Sequence, residues 1–272
     1  MTPRNSSVLN ALRILRLVSA EGPALSLDLI ARRLDLSRAA AHRLLTTLQE
    51  EGAILRLKRN LYAVGPGLAE IAANADIPAI LAAVGRDMVR RLARELDEVV
   101  HLGHLERGMV TYLVKGRPRR KTTVPTEEGT QLEAYSSGLG KVLLAHLPPQ
   151  DLEDYLASGP FVAFTEHTIT DPAAIRRALD DVKRQGFATD EEEVMPGLTC
   201  LAVPVPRPVG GAVAAFSVSG ASERFTPAFR ARARATLKAA ADELSARLYG
   251  AMEPQSLENR ARTEPRPAIV SS

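Results

Sequence analysis

One stretch of this chain, Ser26 to Tyr62 (SLDLIARRLDLSRAAAHRLLTTLQEEGAILRLKRNLY), constrains the fold more than any other. Leu27, Ile30, Ala31 and Leu34 recur at i, i+3, i+4 and i+7, which predicts a short amphipathic helix. Asp35-Leu36 breaks it. Ser37 then stands where an N-cap belongs, with Leu36 before it placed to pack on Ala41 as a hydrophobic staple. A second helix is predicted to run to about Glu51 and stop at Gly52, which takes left-handed backbone without penalty. Its inward stripe is Ala41, Leu44, Leu45 and Leu48, and its outward face is Arg38, Ala39, Ala40, His42, Arg43 and Thr46. Two helices joined by three or four residues, the second with a small and polar outer face, suit the major groove of DNA.

Two extended runs follow, Ala53 to Leu57 and Leu61 to Val64, with Lys58-Arg59-Asn60 as a polar turn between them. Such a hairpin, a wing carrying Arg56, Lys58 and Arg59 at its tip, can lie along a phosphate backbone. From Arg32 to Arg59 there are seven Lys/Arg against three Asp/Glu. The competing reading is a small helical domain with a solvated basic face.

The charge distribution supports the first reading. The 272 residues carry net +3, but residues 1–75 hold ten Lys/Arg and six Asp/Glu, net +4, which leaves net −1 for the rest. The basic excess lies where the helix pair lies. A chain of this length suits two domains better than one. One cysteine, Cys200, excludes an intramolecular disulfide and a Cys-rich zinc site. No stretch reaches the roughly 18 apolar residues of a membrane span, and the start MTPRNSS lacks a signal-peptide core, so a soluble cytoplasmic protein is expected. On that expectation the sequon Asn5-Ser6-Ser7 has no meaning.

Ahead of the helix pair, Val8, Leu12, Leu15 and Val18 predict one apolar face of a supporting helix ended by Glu21-Gly22-Pro23. Behind it, Gly65-Pro66-Gly67 closes a first domain over residues 7–66. Leu68, Ile71, Ala72 and Ala75 give a linker helix over 67–76, which pairs either with its copy in a dimer or with its own domain. Asp76-Ile77-Pro78 starts a long helix with Leu81, Val84, Met88, Leu92 and Leu96 inward and Arg86, Arg90, Arg91 and Arg94 solvated. Strands are expected at Val99–Leu105 and Met109–Val114, then a basic run, Lys115 to Lys121, read as a loop beside a sheet rather than a second DNA contact. Helices at 142–147, 150–157 and 172–185, strands at 187–191, 200–206 and 212–219 and a last helix from Thr226-Pro227 to about Tyr249 complete a second domain over 77–250. Residues 251–272 are polar and charge-balanced, which predicts disorder. The fold class is α+β: a winged helix-turn-helix, a linker helix, and a larger domain with helices on a mainly antiparallel sheet.

From about Val8 to Tyr249 the chain resembles the IclR family of bacterial transcription regulators. The N-terminal part carries IARRLDLS, HRLLTTLQEEG and LYAVG. The C-terminal part carries GTQLEAYSSGLGKVLLAHLP, RQGFATDEEEVMPGLTCLAVPV and AAFSVSG followed by Arg224. The resemblance implies a homodimer or dimer of dimers, operator DNA, and a small organic effector held in the C-terminal domain. Family members often have Ser-Thr where this chain has Ala39-Ala40, replacing two hydroxyls by methyls able to touch thymine methyl groups. Arg38, His42 and Arg43 remain as polar readers or phosphate contacts.

In the second domain, Ser136-Ser137-Gly138-Leu139-Gly140 precedes a helix, and N–H groups at a helix start favour an anion such as a carboxylate. This is no phosphate-binding P-loop, since Tyr135 and Val142 occupy positions that need Gly and Ser/Thr. The acidic cluster Asp190 to Glu193 lacks ligand spacing for a metal, and no metal or cofactor is expected. Cys200 reads as a small buried hydrophobe rather than a nucleophile or redox sensor. Ser217 and Ser219 share one strand face, with a ligand or the backbone as partner. The resemblance places an effector pocket on Val124, Leu132, Gly138, Leu139, Asp190, Leu198, Cys200, Ser217 and Ser219. The four aliphatic side chains would form an apolar wall, Gly138 would help hold a carboxylate, and the others would select polar substituents.

The resulting expectation is a ligand-responsive regulator, taken as a repressor, of a catabolic operon, sensing a small organic acid. The alternatives are a small-acid enzyme with an appended DNA-binding domain and a ligand-independent DNA binder. No Ser/His/Asp motif or Gly-x-Ser-x-Gly elbow supports the enzyme.

Overall fold

The computed structural model describes residues 5–57, 60–121 and 124–250. The chain divides into two compact units, with the break at Asp76/Ile77. The segment 251–272, expected to be disordered, lies outside the described residues.

The first unit begins with α1 (Ser6–Glu21), capped by Asn5, whose Oδ1 accepts from the N–H groups of Ser7 and Val8. Its buried residues are Ile14, Leu17 and Val18. The expected face is corrected accordingly: Val8 and Leu12 are exposed, and only the C-terminal half of the helix packs inward. After the two-residue strand β1 (Leu25–Ser26), α2 (Leu27–Leu34) takes Ser26 as its N-cap and ends at Asp35 in left-handed backbone. α3 (Arg38–Glu50) follows, with the Ser37 hydroxyl accepting from the Ala40 N–H at 3.1 Å. Gly52, at φ 67, turns the chain into β2 (Ile54–Arg56) and β3 (Leu61–Val64). β1 pairs with β3 and makes the sheet three-stranded and antiparallel, a strand the sequence pattern does not announce. Ile14, Leu17, Ile30, Leu34, Leu45, Ile54 and Tyr62 form one core. α4 (Pro66–Ala73) buries none of its residues, and Ile71 is 72 % exposed.

The second unit opens with α5 (Ile77–Leu96), β4 (Val99–Glu106) and β5 (Met109–Gly116). β6 (Gln131–Glu133) was not foreseen. α6 spans Gly138–Ala145, so it begins four residues before the expected start, at the Ser137 N-cap. α7 (Pro149–Ala157), α8 (Pro172–Gln185), β7 (Ala188–Glu191), β8 (Leu198–Pro206), β9 (Ala212–Ala221) and α9 (Pro227–Tyr249) follow. The six strands run in the order β6-β5-β4-β9-β8-β7, each neighbouring pair antiparallel. One face of the sheet packs on α5 and α9 through residues such as Met88, Leu102, Phe216 and Leu237. The other packs on α6, α7 and α8 through Val110, Leu139, Leu144, Leu179 and Ala215.

Register fixes what the second face presents. Pairing aligns Asp190, Cys200, Ser219 and Val99 in one row across β7, β8, β9 and β4. The next row holds Ala188, Ala202, Ser217 and His101. Paired residues share a face, so separated polar residues converge. α6 lies close over these rows because it starts on glycines. A Cβ on Gly138 would stand 3.1 Å from the Cys200 Sγ, and one on Gly140 would stand 2.1 Å from the Ala134 carbonyl oxygen. The second contact is with backbone and has no room to relax. Gly140→Ala is therefore expected to destabilise the protein by about 2 kcal/mol or more, read as a lowered midpoint in urea denaturation of the second unit's transition.

Candidate DNA-binding face and ligand cavity

In the first unit α3 and the β2–β3 hairpin flank a groove of about 840 Å³, lined among others by Asp28, Arg38, Ala39, His42, Arg43, Arg56 and Asn60. Arg38, Ala39, His42, Arg43 and Thr46 are exposed, and Ala40 is half-buried. Arg38 Nε donates to Asp28 Oδ1 at 2.7 Å, a surface pair that holds its guanidinium at the groove's edge. The Thr46 hydroxyl donates to the His42 carbonyl at 3.0 Å and keeps only acceptor capacity for a partner. Arg56 Nε donates to Asn60 Oδ1 at 3.1 Å, which ties the strand to its turn. Arg43 forms no ion pair among the described residues. Lys58 and Arg59 lie outside the described residues.

In the second unit a cavity of about 210 Å³ lies between the sheet and the first turn of α6. Of the positions that the resemblance implies, Val124, Leu132, Gly138, Asp190, Leu198, Cys200 and Ser219 line it. Two do not. Leu139 is 1 % exposed and points into the core, because the early start of α6 turns it towards the sheet. Ser217 is 1 % exposed and sits one row beyond Cys200, its hydroxyl buried without a formed hydrogen bond. His101, Tyr112, Pro125, Thr126, Thr130, Ser137 and Val194 also line the cavity and were missed. Period-two alternation in the β4 sequence gave a signal for His101. The segment 124–130 gave none.

The electrostatics of the lining follow from burial. Asp190 accepts from the Glu193 N–H at 2.7 Å, yet desolvation still pushes its carboxyl up to about 7. Burial, with the nearby Asp190 charge, pushes the Cys200 thiol up to about 12. An undissociated thiol between two serine hydroxyls is a weak hydrogen-bonding group, not a nucleophile. Burial and the Lys115 ammonium lower His101 to about 3, so its ring is neutral. Lys141, on α6, is buried and ion-paired with buried Glu193, and its Nζ also donates to the Thr189 carbonyl at 3.0 Å. Glu191 pairs with Arg230, and Glu192 accepts from the Gly197 N–H. The acidic cluster is thus spent on internal contacts. Among the described residues no group of three His, Cys, Asp or Glu side chains is arranged to hold a metal ion. No single described helix is long and apolar enough to cross a membrane.

A winged helix-turn-helix, followed in the same chain by a separate unit with a mainly apolar cavity that carries a few polar groups, defines a DNA-binding transcriptional regulator. The chain belongs to the IclR family. Residues 7–57 match the model of the IclR helix-turn-helix domain, and residues 77–246 match that of the bacterial transcriptional regulator IclR C-terminal domain. The transcriptional regulator BhcR of Paracoccus denitrificans is 34 % identical over 236 residues, covering 86 % of this chain and 84 % of that one. The transcriptional repressor AllR of Klebsiella pneumoniae is 31 % identical over 221 residues, covering 79 % of each. Among solved structures, an IclR homologue from Microbacterium hydrocarbonoxydans complexed with 4-hydroxybenzoate shares the fold. Its TM-score is 0.58 at 24 % identity, over 89 % of this chain and 99 % of that one.

Asp190 makes stability depend on pH. Below about pH 4 the carboxyl is protonated in both folded and unfolded states. As pH rises towards 7 the unfolded chain releases this proton and the folded one retains it, so stability falls across that window. Asp190→Asn is expected to flatten the fall between pH 4 and pH 7, measured as urea midpoints at half-unit steps.

Proposed function

We propose that this protein is a ligand-responsive repressor of a catabolic operon, a homodimer or dimer of dimers whose second unit senses a small organic acid. The observation that carries the sensing part is the Asp190–Cys200–Ser219 row facing the N-terminal turn of α6 across a partly open cavity. Gly138 lets the start of α6 come up to the Cys200 Sγ beside the cavity, and helix N–H groups with their dipole favour a carboxylate. Val124, Leu132 and Leu198 supply apolar wall. At about 210 Å³ the cavity falls below the ~300–1,000 Å³ of drug-sized ligand sites, which favours a molecule of few heavy atoms. The 4-hydroxybenzoate bound by the Microbacterium protein is of that class, and the repressor AllR supports the sign of regulation.

Such a ligand acts by its difference in affinity between DNA-competent and DNA-incompetent arrangements of the protein. The test is calorimetry with a panel of small acids, including benzoate, 4-hydroxybenzoate, pentanoate and 4-oxopentanoate. At least one member should bind and weaken operator binding, and Ser219→Ala should reduce its affinity about ten-fold, the worth of one buried hydrogen bond. Absence of binding by every member, or unchanged affinity in the variant, would sink this assignment.

The DNA-binding part rests on α3 and the wing, with Arg38, Ala39, Ala40, His42, Arg43, Thr46 and Arg56, together with Lys58 and Arg59, as the contacting residues. Arg43, exposed and without an ion-pair partner among the described residues, is assigned to a phosphate. Arg43→Ala is expected to weaken operator binding and to lower the slope of log affinity against log salt by about 1, measured by gel shift across a salt series. An unchanged slope would remove Arg43 from the phosphate contacts.

A further inference from the structure

The Asp190–Cys200–Ser219 row and the start of α6 account for part of the cavity wall. Another part carries a polar group that none of these contacts uses. Tyr112 is 6 % exposed and lines the cavity, yet its hydroxyl forms no hydrogen bond among the described residues. The hydroxyl is not sealed in by protein, so a molecule in the cavity can reach it.

Tyr112 reaches the cavity through an irregularity in β5. Val114 pairs with Leu102 and Tyr112 pairs with Gly103, so Leu113 is an extra residue in the ladder. Val114 therefore belongs to the α5–α9 side of the sheet, whereas Tyr112 and Val110 belong to the α6 side. Bulges of this kind re-aim side chains beside functional sites. The ring has little freedom. It stands edge-on to the His101 ring at 4.6 Å, and His101 Nε2 is 2.8 Å from Thr126 Oγ1. The Tyr112 backbone is clamped to the 129–130 turn, its N–H donating to the Thr130 carbonyl at 3.0 Å and its carbonyl accepting from the Gly129 N–H at 2.8 Å. Burial raises the phenol's pKa, with the Cys200 and Asp190 charges acting in the same direction. The phenol thus keeps its proton, and the ring is held against the cavity that Cys200 and Asp190 also line.

We propose that Tyr112 determines ligand specificity. Its phenol donates a hydrogen bond to a second oxygen of the ligand, apart from the carboxylate held at α6. The cavity then takes short hydroxy-, oxo- or dicarboxylic acids in preference to simple monocarboxylic acids of the same length. This rests on the organic-acid reading above. A site with a fixed donor rejects the analogue that lacks the matching oxygen, because the donor would stay buried and unpaired.

The test is calorimetry on wild type and Tyr112→Phe with two matched pairs, 4-hydroxybenzoate against benzoate and 4-oxopentanoate against pentanoate. Wild type should bind the oxygenated member of at least one pair about ten-fold or more tighter. The variant should bring that pair to within about three-fold, with the loss falling on the oxygenated acid. The unliganded variant should melt no lower than wild type, because the hydroxyl it loses has no partner. A variant that keeps the wild-type preference, a wild type that binds both members equally, or a marked fall in melting temperature would each overturn the role of Tyr112 alone. Failure of wild type to bind any acid of the panel would overturn the organic-acid reading and this proposal with it.

Discussion

The second unit depends on a close approach of α6 to the segment before it: a Cβ at 140 would overlap the Ala134 backbone, and one at 138 would press on the Cys200 side chain of β8. That closeness brings a helix start down onto the sheet face where Asp190, Cys200 and Ser219 share a row. It also carries Lys141 into the interior, where the ammonium meets Glu193 and the Thr189 carbonyl. Glu193 in turn belongs to a loop whose carbonyl accepts from the Thr168 hydroxyl at 2.6 Å. Helix, loop and sheet edge are therefore fixed by one another. A side chain at position 140 would lift the helix and open every one of these contacts.

Local pattern made the first unit legible, and its failures show where local pattern ends. Ser37 serves as the N-cap its position implies, and Ile30, Leu34 and Leu45 are buried as their spacing implies; the Ser26 cap of α2 is seen only in the structure. α1 was read less well. Its apolar residues, from Val8 to Val18, occur nearly all round the helix, and only contact with α2 and α3 selects Ile14, Leu17 and Val18 for burial. β1 escaped notice because two residues carry no period. In the second unit, alternation put Ser217 and Ser219 on one face, but whether each reaches the cavity depends on rows that no single strand displays. Tyr112 was illegible for a sharper reason. Strict alternation places Val110, Tyr112 and Val114 together, and one extra residue in the ladder separates them.

Charge counted along the sequence likewise differs from charge left free. The run from Lys115 to Lys121 looks like a nucleic-acid contact by composition. In the fold, Lys115 donates to the carbonyls of Val124 and Thr126, and Arg117 pairs with Glu127. Arg120 reaches Glu98, a carboxylate only 2 % exposed that also takes Arg224 in a two-pronged contact. Glycine at 220 leaves room for that carboxylate, since a Cβ there would stand 2.3 Å from its Oε2. A buried carboxylate needs such paired donors to offset its desolvation. These cations are therefore engaged beside the central strands of the sheet, whereas Arg43 in the first unit forms no ion pair among the described residues.

An organic acid in the cavity would meet no free cation among the described residues. The two lysines nearest the cavity are both engaged, Lys141 with Glu193 and Lys115 with the 124–127 segment. Among the described residues, the lining offers hydroxyls, a thiol, a neutral imidazole and the start of α6, but no free cation. A buried ion pair would bind a carboxylate at the cost of desolvating both charges, whereas fixed dipoles need no second charge. Asp190 then becomes the sensitive point. Ionised, it repels a carboxylate, and protonated, it donates to one. For the organic acid proposed above, a proton retained on Asp190 would take the place of a permanent positive charge.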